Sequence, residues 1–447
     1  MSKNNIVIIG AGESGTGSAV LARKKGYDVF VSDIAEINDK YKKVLLQYDI
    51  RYEEGKHTKE ILLKADEVIK SPGIHDYIPV IQMIKDKGIP VISEIEFAGR
   101  FTMAKMICIT GSNGKTTTAL LTHHILKNAG LNAGLAGNVG YSFAMQVADQ
   151  KYDYYVLEIS SFQLDGMFDF KADIAILLNI TPDHLDRYEY NFQKYVDSKF
   201  RIIRNQTKED VFICCLDDQV IRKELEKREV KARKLPFTIK EILIKDGAYI
   251  TDNKFIVNIN SNKLIMTLEK LALQGKHNIY NSMAAAIAAR VFEIRNENIK
   301  QSLSDFQNIE HRLEFVVNIQ GIEFINDSKA TNINSTWYAL ESINKKVILI
   351  AGGVDKGNDY TILQDMIKKK VKAIVCLGVD TSKIYSAFSG MVETIVKTQS
   401  MEDAVKYAFS LGKKNDVVLL SPACASFDLF ENYMDRGNQF KKIVKDL

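Results

Sequence analysis

The ten residues Ile109 to Thr118, ITGSNGKTTT, have the types and spacing to hold a polyphosphate. They follow the short apolar run Met106 to Ile109 and lead into a stretch of helical character, Thr116 to Ala129. Strand, turn and helix in that order put N–H groups and the positive end of a helix dipole at the turn. Gly111 and Gly114 let the backbone wrap an anion, with Ser112 and Asn113 between them. Lys115 adds a mobile positive charge for the terminal phosphates, and the hydroxyl of Thr116, followed by Thr117, can reach a magnesium ion. The spacing is tighter than G-x-x-x-x-G-K-[ST], because Gly111 stands three residues before Gly114. A Gly-rich turn with an exposed lysine is the competing reading, and the flanking strand, helix and threonines count against it. ATP is the expected ligand.

Further polar residues stand where apolar runs end. Glu158 closes the run that begins at Tyr154, and Ser160, Ser161 and Gln163 follow it. TPDHLDR, Thr181 to Arg187, ends the next run and exposes His184, and Lys199 falls in the helical stretch Asn191 to Arg204. Magnesium prefers oxygen, so Glu158, Thr116 and the phosphates would supply its ligands rather than nitrogen alone. Taken singly, His184 reads as a loop-capping side chain and Lys199 as a solvated surface lysine. In GKHNIYN, Gly275 to Asn281, the residues Asn278 and Asn281 stand one helical turn apart. That pair could cap the helix or bracket an adenine edge, and the sequence leaves both open.

The elements that must position these residues form three α/β units. The first, Ile6 to about Ile95, opens with the strand IVIIG, a helix from about Ser14 to Lys25 and the strand DVFVSD ending at Asp33. A later strand, EVIK, leads into the loop SPGI at Ser71 to Ile74. The second carries the phosphate loop, strands at 154–159, 173–179 and 211–214, a more β-like stretch from 234 to 268, and the helix 278–291. The third has strands at 323–326, 347–350, 373–377 and 417–420. Short apolar strands alternating with helices predict parallel sheets with ligands at the strand C-termini. The first unit also holds Gly10-Ala11-Gly12-Glu13-Ser14-Gly15, a full G-x-G-x-x-G, with Asp33 about 20 residues on. Alone it would suggest a nicotinamide-dependent dehydrogenase, but such a turn fits any nucleotide diphosphate.

Bulk properties exclude several classes. A chain of 447 residues suffices for about three domains, each with its own core. Its net charge of +4 is diffuse, with no basic block to argue for nucleic acid. Five cysteines, odd in number and without C-x-x-C spacing, read as reduced core residues of a cytoplasmic protein. MSKNN passes directly into a strand, which predicts no signal peptide, and no apolar run approaches the roughly 18 residues of a membrane span.

Seven segments together carry a family resemblance: ITGSNGKTTT, EISSFQL, NITPDHLDR, GKHNIYN, EHR, NDSKATN and SPACASFDLF. In this order, over essentially the whole chain, they resemble the ATP-dependent Mur ligases, which build the peptide of bacterial cell-wall precursors. NDSKATN and SPACASFDLF resemble the members that add D-glutamate to UDP-N-acetylmuramoyl-L-alanine. The absence of a D-N-P-R sequence counts against a relative that adds a diamino acid. The resemblance implies an α/β fold of three domains: a Rossmann-like N-terminal domain (1–96) for UDP, a central P-loop ATPase-like domain (97–307), and a Rossmann-like C-terminal domain (308–447) for the amino acid. It implies ATP and Mg2+ as cofactors, no nucleic-acid partner, no membrane insertion and a monomeric state.

By position, Ser14 and Asn138 would lie at the diphosphate, and Asp33 and Ser71 near the uridine. Ile34 stands where relatives can carry a hydroxyl residue, which removes one side-chain contact to uracil. Gly111 to Thr117, above all Lys115 and Thr116, would hold the ATP phosphates. Glu158 and His184 would ligate metal with Thr116, and Lys199 would be carbamylated to add an oxygen ligand. Ser160 and Gln163 would face the muramoyl-alanine. Asn278, Asn281, Arg312, Asp327 and Lys329 would surround the nucleotide, and Thr331, Lys356, Ser426, Phe427 and Tyr433 would form the amino-acid pocket. The implied chemistry runs through an acyl phosphate.

Overall fold

A computed structural model describes residues 5–306, 310–355 and 357–447. They cluster into two compact units, the first built from Met1–Pro182 and Asn191–Phe306, the second from Asp183–Tyr190 and Gln307–Leu447.

The first unit carries two sheets. One has five parallel strands in the spatial order Arg51–Glu53, Asp28–Ser32, Asn5–Ile9, Glu67–Lys70, Val91–Ile92. Its central strands are nearly all Val and Ile and are buried, as both faces of a parallel sheet require. The helix Glu13–Lys24 crosses between the first two strands, and Gly15 lets it approach. A Cβ there would sit 1.8 Å from the Gly10 carbonyl oxygen.

The other sheet has nine strands, in the order Asn262–Thr267, Lys254–Ile259, Gly247–Thr251, Arg233–Phe237, Val211–Cys215, Ile174–Leu177, Lys105–Thr110, Tyr154–Glu158, Ala133–Gly137. The last seven run parallel, and the first two add antiparallel hairpins, which accounts for the more β-like stretch in the sequence. Register pairs Ile109 with Glu158 and Thr110 with Leu177, so three strand C-termini end side by side. The helix Lys276–Val291 is buried on every side from Asn281 to Arg290, around the apolar run Met283 to Ala289, as expected of a helix inside a fold.

The second unit holds six strands: Glu314–Ile319, Ile322–Asn326, Val417–Ala423, Val347–Gly352, Val371–Leu377, Thr394–Thr398. Only the first pair is antiparallel. Alternate residues divide between two cores: Leu349, Ile374 and Leu419 on one face, Ile348, Val375 and Val418 on the other.

One local expectation changes. The helix expected over 191–204 is α-helical over Phe192–Phe200 and tightens to a 3-10 turn at Arg201–Ile203. The segment Asp183–Tyr190 groups with the second unit, where Asn332 Nδ2 donates to Asp183 Oδ2 at 3.3 Å. All five cysteines are buried, and none forms a disulfide. Among the described residues no helix is long and apolar enough to cross a membrane.

Candidate active site

The loop after Lys105–Thr110 is pinned by the neighbouring strand end. Ser112 N donates to Asn179 O (2.9 Å), Asn113 N to Asn179 Oδ1 (2.8 Å), and Ser112 Oγ to Thr181 O (2.8 Å). Gly114 is the N-cap of the helix Lys115–Asn128 in a left-handed conformation, φ 85°, and no side chain caps that end. A Cβ at Gly114 would come within 2.4 Å of Asn281 Oδ1, so glycine serves both the turn and the approach of the helix Lys276–Val291. Lys115 Nζ curls back to the carbonyls of Gly111 and Ser112, both at 2.8 Å. Thr116 and Thr117 open the helix and are buried.

Lys199 is not on the surface. It is 2% exposed, and its Nζ donates to Thr110 Oγ1 (3.1 Å) and Gly111 O (3.0 Å), 5.2 Å from the Tyr195 ring centre. The surface-lysine reading fails because the helix Phe192–Phe200 turns this face inward. Two lysine ammonium groups therefore share the Gly111 carbonyl, an arrangement that invites an anion. Glu158, also 2% exposed, accepts from Asn138 Nδ2 at 3.0 Å through Oε1, while its buried Oε2 has no hydrogen-bond partner. A buried carboxylate oxygen left unmatched beside a phosphate loop fits a hard, oxygen-preferring cation such as magnesium. Among the described residues no group of three or more His, Cys, Asp or Glu side chains could hold a metal alone.

Other expected contacts are engaged locally. Ser160 and Gln163 form a reciprocal capping box on the helix Ser161–Asp165, with Gln163 N donating to Ser160 Oγ (3.3 Å) and Ser160 N to Gln163 Oε1 (2.9 Å). Asn278 donates to Gln274 O (2.9 Å), and Asn281 Oδ1 accepts from Thr118 Oγ1 (3.3 Å), which ties the second asparagine to the phosphate-loop helix rather than to a cap.

On the five-stranded sheet, Asp33 takes Ala11 N (2.7 Å) and Ala35 N (2.9 Å), and Ser71 Oγ donates to Gly10 O (3.0 Å). Ser14 stands beside Glu94, a fully buried carboxyl whose Oε1 accepts from Ser142 Oγ and from Ala144 N (3.0 Å) while its Oε2 has no hydrogen-bond partner. Burial pushes Glu94 up to about 7 against those two hydrogen bonds. The folded chain thus keeps this proton where an unfolded carboxyl would lose it. Stability attributable to Glu94 is present below the ordinary carboxylate value and is lost as pH rises toward 7. Glu94→Gln, which resembles the protonated acid, should therefore stay more stable than the parent above pH 7, by up to about 3 kcal/mol. The two should converge near pH 4. Unfolding midpoints across pH 4–8 check this, and parallel curves would refute it.

In the second unit, His184 is left-handed (φ 52°) with Nε2 3.7 Å from Asp183 Oδ2. Arg312 has a buried Nε without a hydrogen-bond partner. Asp327 accepts from Ser421 Oγ (2.8 Å) and Leu313 N (3.2 Å), and burial pushes it up to about 7 despite the nearby Arg312 charge. Lys329 Nζ donates to the Tyr433 hydroxyl at 3.0 Å. Thr331 is half-buried, Ser426 is buried with its carbonyl accepting from Phe430 N (3.0 Å), and Phe427 is 73% exposed. Lys356 lies outside the described residues.

Three residues that spacing did not single out support these positions. Asn179 and Tyr195 hold the phosphate loop, the latter through a 3.0 Å bond to Ser112 Oγ. Arg436 is 1% exposed, with Nε on Ser328 Oγ (2.9 Å) and Nη2 on Ser328 O (2.8 Å) and Cys424 O (3.4 Å). It joins NDSKATN to SPACASFDLF. An arginine on the same helical face as Phe440 and Val444 was its signal.

Comparison with known proteins gives consistent matches. Residues 4–93 match the model of the Mur ligase MurD-like N-terminal domain, 109–289 the Mur ligase middle domain, and 311–424 the Mur ligase glutamate ligase domain. The UDP-N-acetylmuramoylalanine–D-glutamate ligase of Bacteroides fragilis is 55% identical over 446 residues, covering 99% of each chain. That of Porphyromonas gingivalis is 53% identical over 446 residues, covering 100% of this chain and 99% of its own. Among solved structures, UDP-N-acetylmuramate-alanine ligase from Thermotoga maritima aligns over 99% of each chain with a TM-score of 0.63 at 18% identity. A pseudomurein peptide ligase type C from Methanothermus fervidus aligns over 99% of this chain and 100% of its own with a TM-score of 0.62 at 22% identity. At these identities the structures speak for the fold alone.

Proposed function

The chain belongs to the Mur ligase family, and from that premise we infer that it joins D-glutamate to UDP-N-acetylmuramoyl-L-alanine with ATP, a step of peptidoglycan-precursor synthesis. The fold is the three-domain α/β fold of that family. The observation that carries the ATP half is the pair of lysines on the Gly111 carbonyl at a helix N-terminus that no side chain caps. The D-glutamate half rests on relatives of that activity 50–55% identical over nearly their whole length. A hydride-transfer role for the Gly10–Gly15 turn falls away with the family.

The chemistry joins two anions, then a nucleophile to an acyl carbon. The substrate's terminal carboxylate oxygen attacks the γ-phosphorus of ATP, and ADP leaves with the bridging oxygen. Lys115 offsets the repulsion and stabilises charge on the transferring phosphoryl group. Asn281 and Thr118 fix the helix whose N–H groups face the phosphates. Magnesium would be held by Thr116, Glu158 Oε2 and phosphate oxygens, with His184 and the Lys199 position as further ligands, and supplies charge neutralisation when bound. The neutral D-glutamate amine then attacks the acyl carbon, phosphate departs, and the nitrogen gives up one of its two protons and keeps the other as the amide N–H. Thr331, Lys356, Ser426, Phe427 and Tyr433 would receive the amino acid, while Arg312, Asp327, Lys329 and Asn278 would contact the nucleotide. Ser14 and Asn138 would bind the diphosphate, Asp33 and Ser71 the uridine, and Ser160 and Gln163 the muramoyl-alanine. The domain boundaries 96/97 and 307/308, a monomeric state and a cytoplasmic location complete this reading.

Phosphate release should require ATP with magnesium, UDP-N-acetylmuramoyl-L-alanine and D-glutamate together. Equal turnover with L-glutamate, L-lysine or meso-diaminopimelate would overturn the D-glutamate assignment.

A further inference from the structure

Glu158 is held by a residue outside its own strand. It ends the strand Tyr154–Glu158, and register sets it beside Ile109 of the phosphate-loop strand on one side and Gly137 on the other. Gly137 has a positive φ of 97°, and a Cβ there would come within 2.3 Å of the Glu158 carbonyl oxygen. Glycine therefore lets the chain turn closely past Glu158. The turn delivers Asn138, which grips Glu158 twice. Asn138 N donates to Glu158 O (2.8 Å), and Asn138 Nδ2 donates to Glu158 Oε1 (3.0 Å).

The grip is one-sided. Glu158 is 2% exposed, yet its Oε2 is buried without a hydrogen-bond partner while Oε1 takes the amide. A pairing that served only to bury the carboxyl would match both oxygens, because an unmatched buried polar atom lowers stability. Holding one oxygen does something else. The backbone bond anchors Asn138, its side chain anchors Oε1, and the rotation of the carboxyl about its last bond is fixed. Oε2 is thereby held in one orientation, which is what a carboxylate needs in order to bind a hard cation tightly.

We propose that Asn138 is a positioning residue for magnesium that acts through Glu158, setting the carboxyl so that Oε2 meets the ion. The proposal rests on the reading of Glu158 as a magnesium ligand. It is compatible with a place for Asn138 at the substrate diphosphate. The residue is exposed, and its amide keeps a second N–H and a carbonyl oxygen beyond the one bond to Oε1. The effect on the ion is expected with no nucleotide substrate bound, and this separates the two roles.

The test uses Mn2+, which takes the oxygen ligands that magnesium takes. The ion is titrated into the intact protein holding AMP-PNP, a non-hydrolysable ATP analogue, with UDP-N-acetylmuramoyl-L-alanine left out. Electron paramagnetic resonance counts the Mn2+ bound beyond that held by AMP-PNP alone. Asn138→Leu is close in shape, removes the side-chain donor and leaves the backbone bond in place. It should weaken Mn2+ about tenfold, as loss of a partner to a metal-binding carboxylate does, and Asn138→Ala should agree with it. Glu158→Gln should weaken Mn2+ at least as much. The double variant should be no weaker than Glu158→Gln alone, because no carboxylate is left to position. In turnover, the magnesium concentration for half-maximal rate should rise about tenfold in Asn138→Leu. Thermal unfolding confirms that each variant is folded. Unchanged Mn2+ binding in the folded Asn138 variants would overturn the proposal and leave Asn138 to the diphosphate alone. Additive losses in the double variant would overturn it too, by showing that Asn138 does not act through Glu158. Equal Mn2+ binding by the parent and Glu158→Gln would overturn the reading of Glu158 as a ligand and this proposal with it.

Discussion

Lys115→Ala should lower ATP-dependent phosphate release by at least about 100-fold, the usual cost of deleting one preorganised group that stabilises transition-state charge. The lysine is half-buried, and its ammonium rests on two carbonyls of its own loop, where no core packing depends on it. Thermal unfolding should therefore shift little, and loss of one of two ammonium groups on Gly111 O relieves a repulsion in the ligand-free protein. Turnover with all three substrates and a melting curve decide the point together. Near-normal turnover would refute a phosphate role. A large loss of stability would instead mean that the lysine is a strut of the loop.

The loop, its strand and its helix were legible because each is a local pattern. Hydrophobic runs of four to six residues, glycines and a threonine cluster fix them within a dozen positions. The parallel sheets were legible in the same way, through alternation of apolar runs with helices. Ser160 and Gln163 show the limit of that logic. Their spacing signalled function, yet three residues apart is also the spacing of a capping box, and the structure records that use of them. The surface reading of Lys199 failed for a different reason. Its burial depends on Thr110 and Gly111, nearly ninety positions earlier, and charge alone gives no hint of such partners. Arg436 was passed over for the same cause, since it is meaningful only through Ser328, which is distant in sequence.

Lys199→Ala should be as damaging as the loss of Lys115, and Lys199→Arg should be no better. A buried ammonium beside a second ammonium is an awkward neighbour for a magnesium-binding carboxylate, and the unmatched Glu158 Oε2 leaves one oxygen where a cation needs several. Carbamylation removes the conflict. The neutral amine nitrogen bonds to the carbon of carbon dioxide and loses a proton, so the side chain changes from about +1 to −1 and gains two oxygen acceptors. Lys115 would then face an anion rather than a like charge. Arginine cannot follow this path, because guanidinium keeps its charge and does not form the adduct. The expected signs are added density on Lys199, a mass increment of one carbon dioxide in the native protein, and partial recovery of Lys199→Ala by acetate, a small carboxylate that can enter the vacated space. Arginine at this position with full activity, or alanine indifferent to acetate with the parent lysine unmodified, would show that the ammonium itself serves the phosphates.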